Sequence, residues 1–160
     1  MQSFADFRAT HLGRKADYDG QHGGECVDLY NFYMRDVWGL NPYRFGGVEY
    51  AHQLRYNLAQ YPELEWVDNN PNDPNQIPPI GAVVIFDDRF AIKGGHVGIA
   101  DNGTSNASLH LFDQVGNPVE EYEKPPSTRR YNWNNVLGWA ILKENVPGES
   151  GGGIEVIQSM

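Results

Sequence analysis

Apolar positions in the N-terminal part of the chain recur at helical spacing, and those of the second half do not. Phe4, Phe7 and Leu12 follow Ser3, a side chain suited to cap a helix, and Gly13 supplies a stop, which predicts a first helix within residues 3–14. Cys26, Leu29, Tyr30, Tyr33 and Val37 form one stripe of a second helix that Gly39 closes. Val48, Ala51, Leu54 and Leu58 predict a third over 47–60. Between the first two runs a polar loop punctuated by glycines, from Lys15 to Gly24, and Asn69 to Pro79 is a second loop carrying four prolines. Beyond Gly81 the period changes. Ala82-Val83-Val84-Ile85-Phe86 is an uninterrupted apolar run, the signature of a buried strand, and Asp87-Asp88 ends it. His96 to Ala100 predicts a second strand, entered through Gly94-Gly95. Ser108 to Phe112 is a third, joined to it by the hairpin signal Asp101-Asn102-Gly103. Val136 to Leu142 supplies the last. Helices first and antiparallel strands afterwards is the order of an α+β domain, with helices packed on an antiparallel sheet over residues 1–143. Residues 144–160 hold Pro147, Gly148 and Gly151-Gly152-Gly153 and read as a flexible linker or the start of a further C-terminal region.

Composition narrows the classes. The chain has 160 residues, 40% of them hydrophobic, enough for one domain with its own core. Twelve basic residues against 21 acidic ones give a net charge of -9, the wrong sign for gripping phosphate backbones, so no nucleic-acid partner is expected. No apolar run is long enough to span a membrane, and the start Met1-Gln2-Ser3-Phe4-Ala5-Asp6 lacks the features of a secretory signal. A single cysteine excludes an internal disulfide and a cysteine-rich zinc site.

That cysteine stands where chemistry is favoured. Cys26 falls in the first turn of the second helix, where unpaired backbone N–H groups and a partial positive charge favour thiolate. The bland alternative is a small buried hydrophobe. A nucleophilic thiol needs a proton acceptor, and there are five histidines. His96 opens a strand after two glycines, where a ring can face a cleft while its successors pack. His110 lies inside an alternating strand, His11 and His52 on helix surfaces, and His22 on a loop.

Three blocks together sharpen this. Gly24-Glu25-Cys26-Val27-Asp28-Leu29, Gly81-Ala82-Val83-Val84-Ile85-Phe86 and Gly95-His96-Val97-Gly98-Ile99 resemble a CHAP domain, the cysteine, histidine-dependent amidohydrolase/peptidase domain of phage endolysins and bacterial wall hydrolases. Leu111-Phe112-Asp113-Gln114 and Leu137-Gly138-Trp139 follow in the same order, so the resemblance spans about residues 5–142. It implies a papain-like fold, a helix-borne nucleophile at Cys26, a strand-borne base at His96 and a polar residue that orients the imidazole. The orienting residue of such domains is commonly a Glu followed by Gln and Asn. Here Asp113, one methylene shorter, takes the Glu place and Val115 the Asn place, leaving Asp113 or Asn117 as the orienter and a strand-ending turn as the other reading of Asp113. Glu25 stands where Gln is common; as a carboxylate it has no proton to donate, so the backbone N–H of Cys26 is the expected oxyanion donor.

The loop before Cys26 carries Asp17-Tyr18-Asp19-Gly20-Gln21, acidic at alternate positions, and Asp28 returns on the helix. It resembles a short EF-hand-like loop, and several endolysin CHAP domains hold calcium in a loop of this order. The resemblance implies the carboxylates of Asp17, Asp19 and Asp28 and the carbonyls of Gln21 and Gly23 as ligands. A solvated turn is the alternative. The implied activity is hydrolysis of an amide in bacterial peptidoglycan, either N-acetylmuramoyl-L-alanine or a stem or cross-bridge peptide bond. An NlpC/P60-type peptidase shares the Cys-then-His order but typically reads Asp-Cys-Ser-Gly at the nucleophile, and a wall-binding module with a decayed site is the non-enzymatic reading. Gram-positive walls are anionic, so an acidic domain is expected to rely on a separate C-terminal wall-binding domain. As an endolysin the protein would accumulate in the host cytoplasm until a holin opens the membrane; a virion-associated lysin fits the sequence equally.

Overall fold

The structure is a computed structural model that describes residues 1–20, 25–90, 94–116 and 124–143. His22, Gln21 and Gly23 of the acidic loop, Asn117, and the linker over 144–160 lie outside the described residues. Among the described residues, three helices, α1 (Phe4–His11), α2 (Cys26–Asp36) and α3 (Leu54–Leu58), accompany six strands: β1 (Leu64–Asp68), β2 (Val83–Phe86), β3 (His96–Ala100), β4 (Leu109–Val115), β5 (Lys124–Tyr131) and β6 (Val136–Leu142). The strands form one antiparallel sheet in the order β1-β6-β2-β3-β4-β5, and the chain is an α+β fold.

Both faces of the sheet are covered, which explains why β2 and β3 are apolar without alternation. On one face Val83, Ile85, Val97, Ile99, Phe112 and Ala140 meet Phe7 of α1, Leu29, Tyr30, Tyr33 and Met34 of α2, and Leu54 and Leu58 of α3. Complete burial of such side chains contributes roughly 1.5–3 kcal/mol each. On the other face Val84, Phe86, Ala100, Leu109, Leu111 and Trp139 form a second cluster, closed by Phe90, Tyr131 and Trp133. Buried Asp101 ties the layers together. It accepts hydrogen bonds from Arg8 Nη1 of α1 at 2.5 Å and Thr128 Oγ1 of β5 at 2.6 Å.

Ser3 caps α1 as expected, its hydroxyl accepting from Asp6 N–H at 3.1 Å. The third helix departs from its expected 47–60 span: a 3-10 turn at Ala51–Gln53 leads into α3, which ends at Leu58. Tyr50 holds extended backbone, and the Gln53 side chain accepts from the N–H groups of Glu49 and Tyr50, fixing a late start. The third expected strand starts at Leu109 and runs on to Val115, because β5 pairs with it over that length. Asp101-Asn102-Gly103 opens a longer connection in which Thr104 Oγ1 accepts from His110 N–H at 3.0 Å, instead of closing a two-residue hairpin. Two strands, β1 and β5, were outside the periodic runs; both are sheet edges.

Candidate active site

The first turn of α2 begins at Cys26, because Glu25 is extended (φ -108°, ψ 165°) and the Asp28 carboxylate accepts from the Glu25 N–H at 2.9 Å. The Cys26 N–H, first in the helix, has no intrahelical carbonyl within reach. Cys26 itself is half-buried. Gln114 of β4 fixes this helix start from below. Its Oε1 accepts from Ala16 N–H at 2.7 Å, and its Nε2 donates to the carbonyls of Ala16 and Glu25 at 2.8 Å each. Gln114 is fully buried and all of its bonds are to backbone, so it ties the strand bearing Asp113 to the residue preceding Cys26.

His96 is the first residue of β3. Gly95 before it has φ +86°, and a Cβ there would stand 2.5 Å from the Phe86 carbonyl oxygen and 2.9 Å from the Cβ of His52. Only glycine lets the chain pass beneath the 3-10 turn at that angle. The His96 ring is buried, stacked on Phe90 at 5.4 Å and 8°, with Phe86 and Tyr131 completing its surroundings. Its Nε2 lies 2.7 Å from Asp113 Oδ2. The Cys26 thiol interacts with the imidazole strongly enough to raise its pKa, while Nδ1 makes no regular hydrogen bond among the described residues. Burial opposes the imidazolium, but hydrogen bonds to Asp113 and Cys26 and the charges of both outweigh it and push His96 up to about 10.

Asp113 has no exposed surface. Arg129 Nη1 donates to its Oδ1 at 2.7 Å and the Tyr131 hydroxyl donates to its Oδ2. Donors therefore reach both carboxylate oxygens, and Nε2–H of His96 donates to Oδ2, leaving Nδ1 as the ring nitrogen that Asp113 does not engage. Gly98 lies across from Asp113, where a Cβ on it would crowd the Asp113 Cβ at 3.2 Å and the Leu111 side chain at 3.1 Å. His96, Gly98 and Ala100 share one face of β3, as Leu109, Leu111 and Asp113 share one of β4. The sequence had left the reach of Asp113 open, and it missed Arg129 and Tyr131 entirely, because two prolines and the absence of apolar alternation hide β5.

Among the described residues, His11, His52 and His110 stand apart from this arrangement. His11 packs on Phe7 at 4.4 Å and Phe32 at 5.5 Å, and burial holds it below the ordinary imidazole range. His52 stacks on Tyr50, and His110 lies on the helix-facing side of β4.

In the acidic loop, oxygens of Asp17, Asp19 and Asp28 lie within 4.8 Å of one another. Asp28 is buried; burial first, then the charges of Asp19 and Asp17, raise its pKa to about 6 against hydrogen bonds that lower it. Those bonds come from Tyr18 N–H to Oδ1 at 3.2 Å and Glu25 N–H to Oδ2 at 2.9 Å. Asp17 Oδ1 accepts from Gly20 N–H at 2.9 Å. An all-oxygen set of three carboxylates fits a hard divalent cation and suits neither zinc nor copper. Beside it runs a groove of about 270 Å³ bordered by Glu25, Val27, Asp28, Tyr43 and Glu49.

No family model matches the chain. The fold is similar to the crystal structure of a wild-type endolysin, LysIME-EF1, with a TM-score of 0.64 and 24% sequence identity over 89% of this chain and 65% of that one. The chain thus spans 65% of that neighbour's length, and at this identity what the two share is the fold.

Proposed function

We propose that the protein is a phage peptidoglycan hydrolase of the CHAP type, cleaving an amide bond of the bacterial cell wall by a cysteine–histidine mechanism. The observation that carries this reading is the buried His96–Asp113 pair at 2.7 Å, coupled to the one cysteine at a helix N-terminus. Cys26 Sγ attacks the amide carbonyl as His96 holds the thiol proton, and the Cys26 N–H is placed to bond the developing oxyanion. His96 then protonates the departing amine, leaving an acyl-enzyme thioester. Water attacks the thioester carbonyl with His96 taking its proton, and the carboxylic acid leaves as Cys26 is regenerated. Asp113 holds the ring's orientation and stabilises the imidazolium throughout.

The scissile bond is N-acetylmuramoyl-L-alanine or a peptide bond of the stem or cross-bridge. Glu25-Cys26-Val27-Asp28 and the acidic loop favour this reading over an NlpC/P60 peptidase, and a buried His96–Asp113 pair braced by Arg129 and Tyr131 argues against a decayed binding module. Asp17, Asp19 and Asp28, with the carbonyls of Gln21 and Gly23, would hold calcium, which when bound supplies charge neutralisation and order to the loop leading into Cys26. Peptidoglycan is the partner, reached with the help of a separate C-terminal wall-binding domain after holin-mediated release from the host cytoplasm. Turbidity loss of purified cell walls tests the reading. Wild type is expected to clear them and Cys26→Ala to leave them intact; clearing at the wild-type rate by Cys26→Ala would sink it.

A further inference from the structure

We propose that Arg129 and Tyr131, on the edge strand β5, are positioning residues that hold the Asp113 carboxylate against His96 and so keep Cys26 reactive. The proposal rests on the cysteine–histidine reading above and adds the strand that supports it.

A carboxylate without exposed surface persists as an anion only where cations and donors replace its lost water. Arg129 supplies the cation, and it is held at three points. Nη1 donates to Asp113 Oδ1 and to the Asp113 backbone carbonyl, both at 2.7 Å, and Nη2 donates to the Pro125 carbonyl at 2.6 Å. One guanidinium therefore fixes the side chain and the main chain of the same residue, which the single point charge of a lysine does not reproduce. Tyr131 acts on the other oxygen. Its hydroxyl donates to Oδ2, the atom that faces His96 Nε2, and its ring lies 5.7 Å from the imidazole.

The register makes both contacts a consequence of strand pairing. Leu109 pairs with Tyr131, Leu111 with Arg129 and Asp113 with Ser127, so these residues share one face of β4 and β5. Arg129 is then a diagonal neighbour of Asp113, and Tyr131 lies farther along the same row. The groups converging on Asp113 are His96 from β3 and Arg129 and Tyr131 from β5, with Cys26 of α2 beyond the imidazole. Arg129 opposes the carboxylate's charge at Oδ1, on the side away from the imidazole.

Because Cys26 is the only cysteine, its alkylation by iodoacetamide reads the site with no substrate present. Rates at one near-neutral pH, with melting followed by circular dichroism, are compared for wild type, His96→Ala, Arg129→Met, Arg129→Lys and Tyr131→Phe. Losing a hydrogen bond to a buried charge predicts alkylation and wall lysis both slower by about tenfold in Arg129→Met, partly recovered in Arg129→Lys. Tyr131→Phe keeps the ring and loses one donor, so its alkylation is expected to slow by about threefold or more with melting near wild type. Alkylation at the wild-type rate or faster in Tyr131→Phe and in any folded Arg129→Met, while His96→Ala is slow, overturns the proposal. Should Arg129→Met fail to fold, Tyr131→Phe decides alone. A wild-type rate in His96→Ala is a separate outcome that overturns the cysteine–histidine reading itself.

Discussion

His96 sits in a conflict between desolvation, which disfavours its charge, and two acidic neighbours that favour it, and the neighbours win. The outcome has a consequence for stability. Its folded pKa, about 10, lies above the ordinary 6.5, so the contribution of the charged imidazole is complete below pH 6.5 and is lost as pH rises through about 10. Removing the ring also opens a cavity, but that cost does not vary with pH. The melting temperature difference between wild type and His96→Ala is therefore expected to be larger at about pH 6 than at about pH 10.5, and an equal difference at both would contradict the charge assignment.

Among the elements, the acidic loop and α2 act together, because Asp28 belongs to both. It receives Tyr18 N–H from the loop and Glu25 N–H from the helix start, so order in one is order in the other. On the proposed calcium reading, binding to the folded state alone would add about 2.7 kcal/mol at a hundredfold excess over the dissociation constant. Chelation is expected to lower melting temperature and lytic rate, calcium to restore both better than magnesium, and Asp19→Ala to abolish the response; calorimetric titration without heat up to millimolar calcium would reduce the loop to a solvated turn. The same element scale shows what the sequence discloses. α2, β3 and β6 were readable because each buries a stripe or run against the core, and Cys26, His96 and Asp113 begin or ride on such elements. β5 was not: Lys124-Pro125-Pro126-Ser127 lacks the donors and apolar alternation of a central strand, and only an edge position tolerates it. Arg129 and Tyr131 were lost with it. β1 does alternate, with Leu64 in and Glu65 out, but its length and its neighbour, the four-proline loop, masked it. The third helix was over-read because its apolar spacing continues through residues whose backbone is held extended by Gln53.

At the scale of the whole molecule, the net charge of -9 would work against an anionic wall under the proposed function, and Cys26 and His96 stand at the end where α2 meets β3. Among the described residues no helix is long and apolar enough to cross a membrane. If repulsion limits encounter, the lytic rate of this chain rises with salt as the screening length falls from about 30 Å at 10 mM to about 8 Å at 150 mM. A rate that falls steadily over that range contradicts the repulsion and assigns wall attraction to this domain itself. The central claim, amide cleavage by Cys26, is tested most directly by the chemical groups released from purified peptidoglycan. Wild type is expected to liberate new free amino groups without new reducing sugar ends, and Cys26→Ala to liberate neither; reducing ends from wild type, or amino groups from Cys26→Ala at the wild-type rate, would rule out amide cleavage by Cys26.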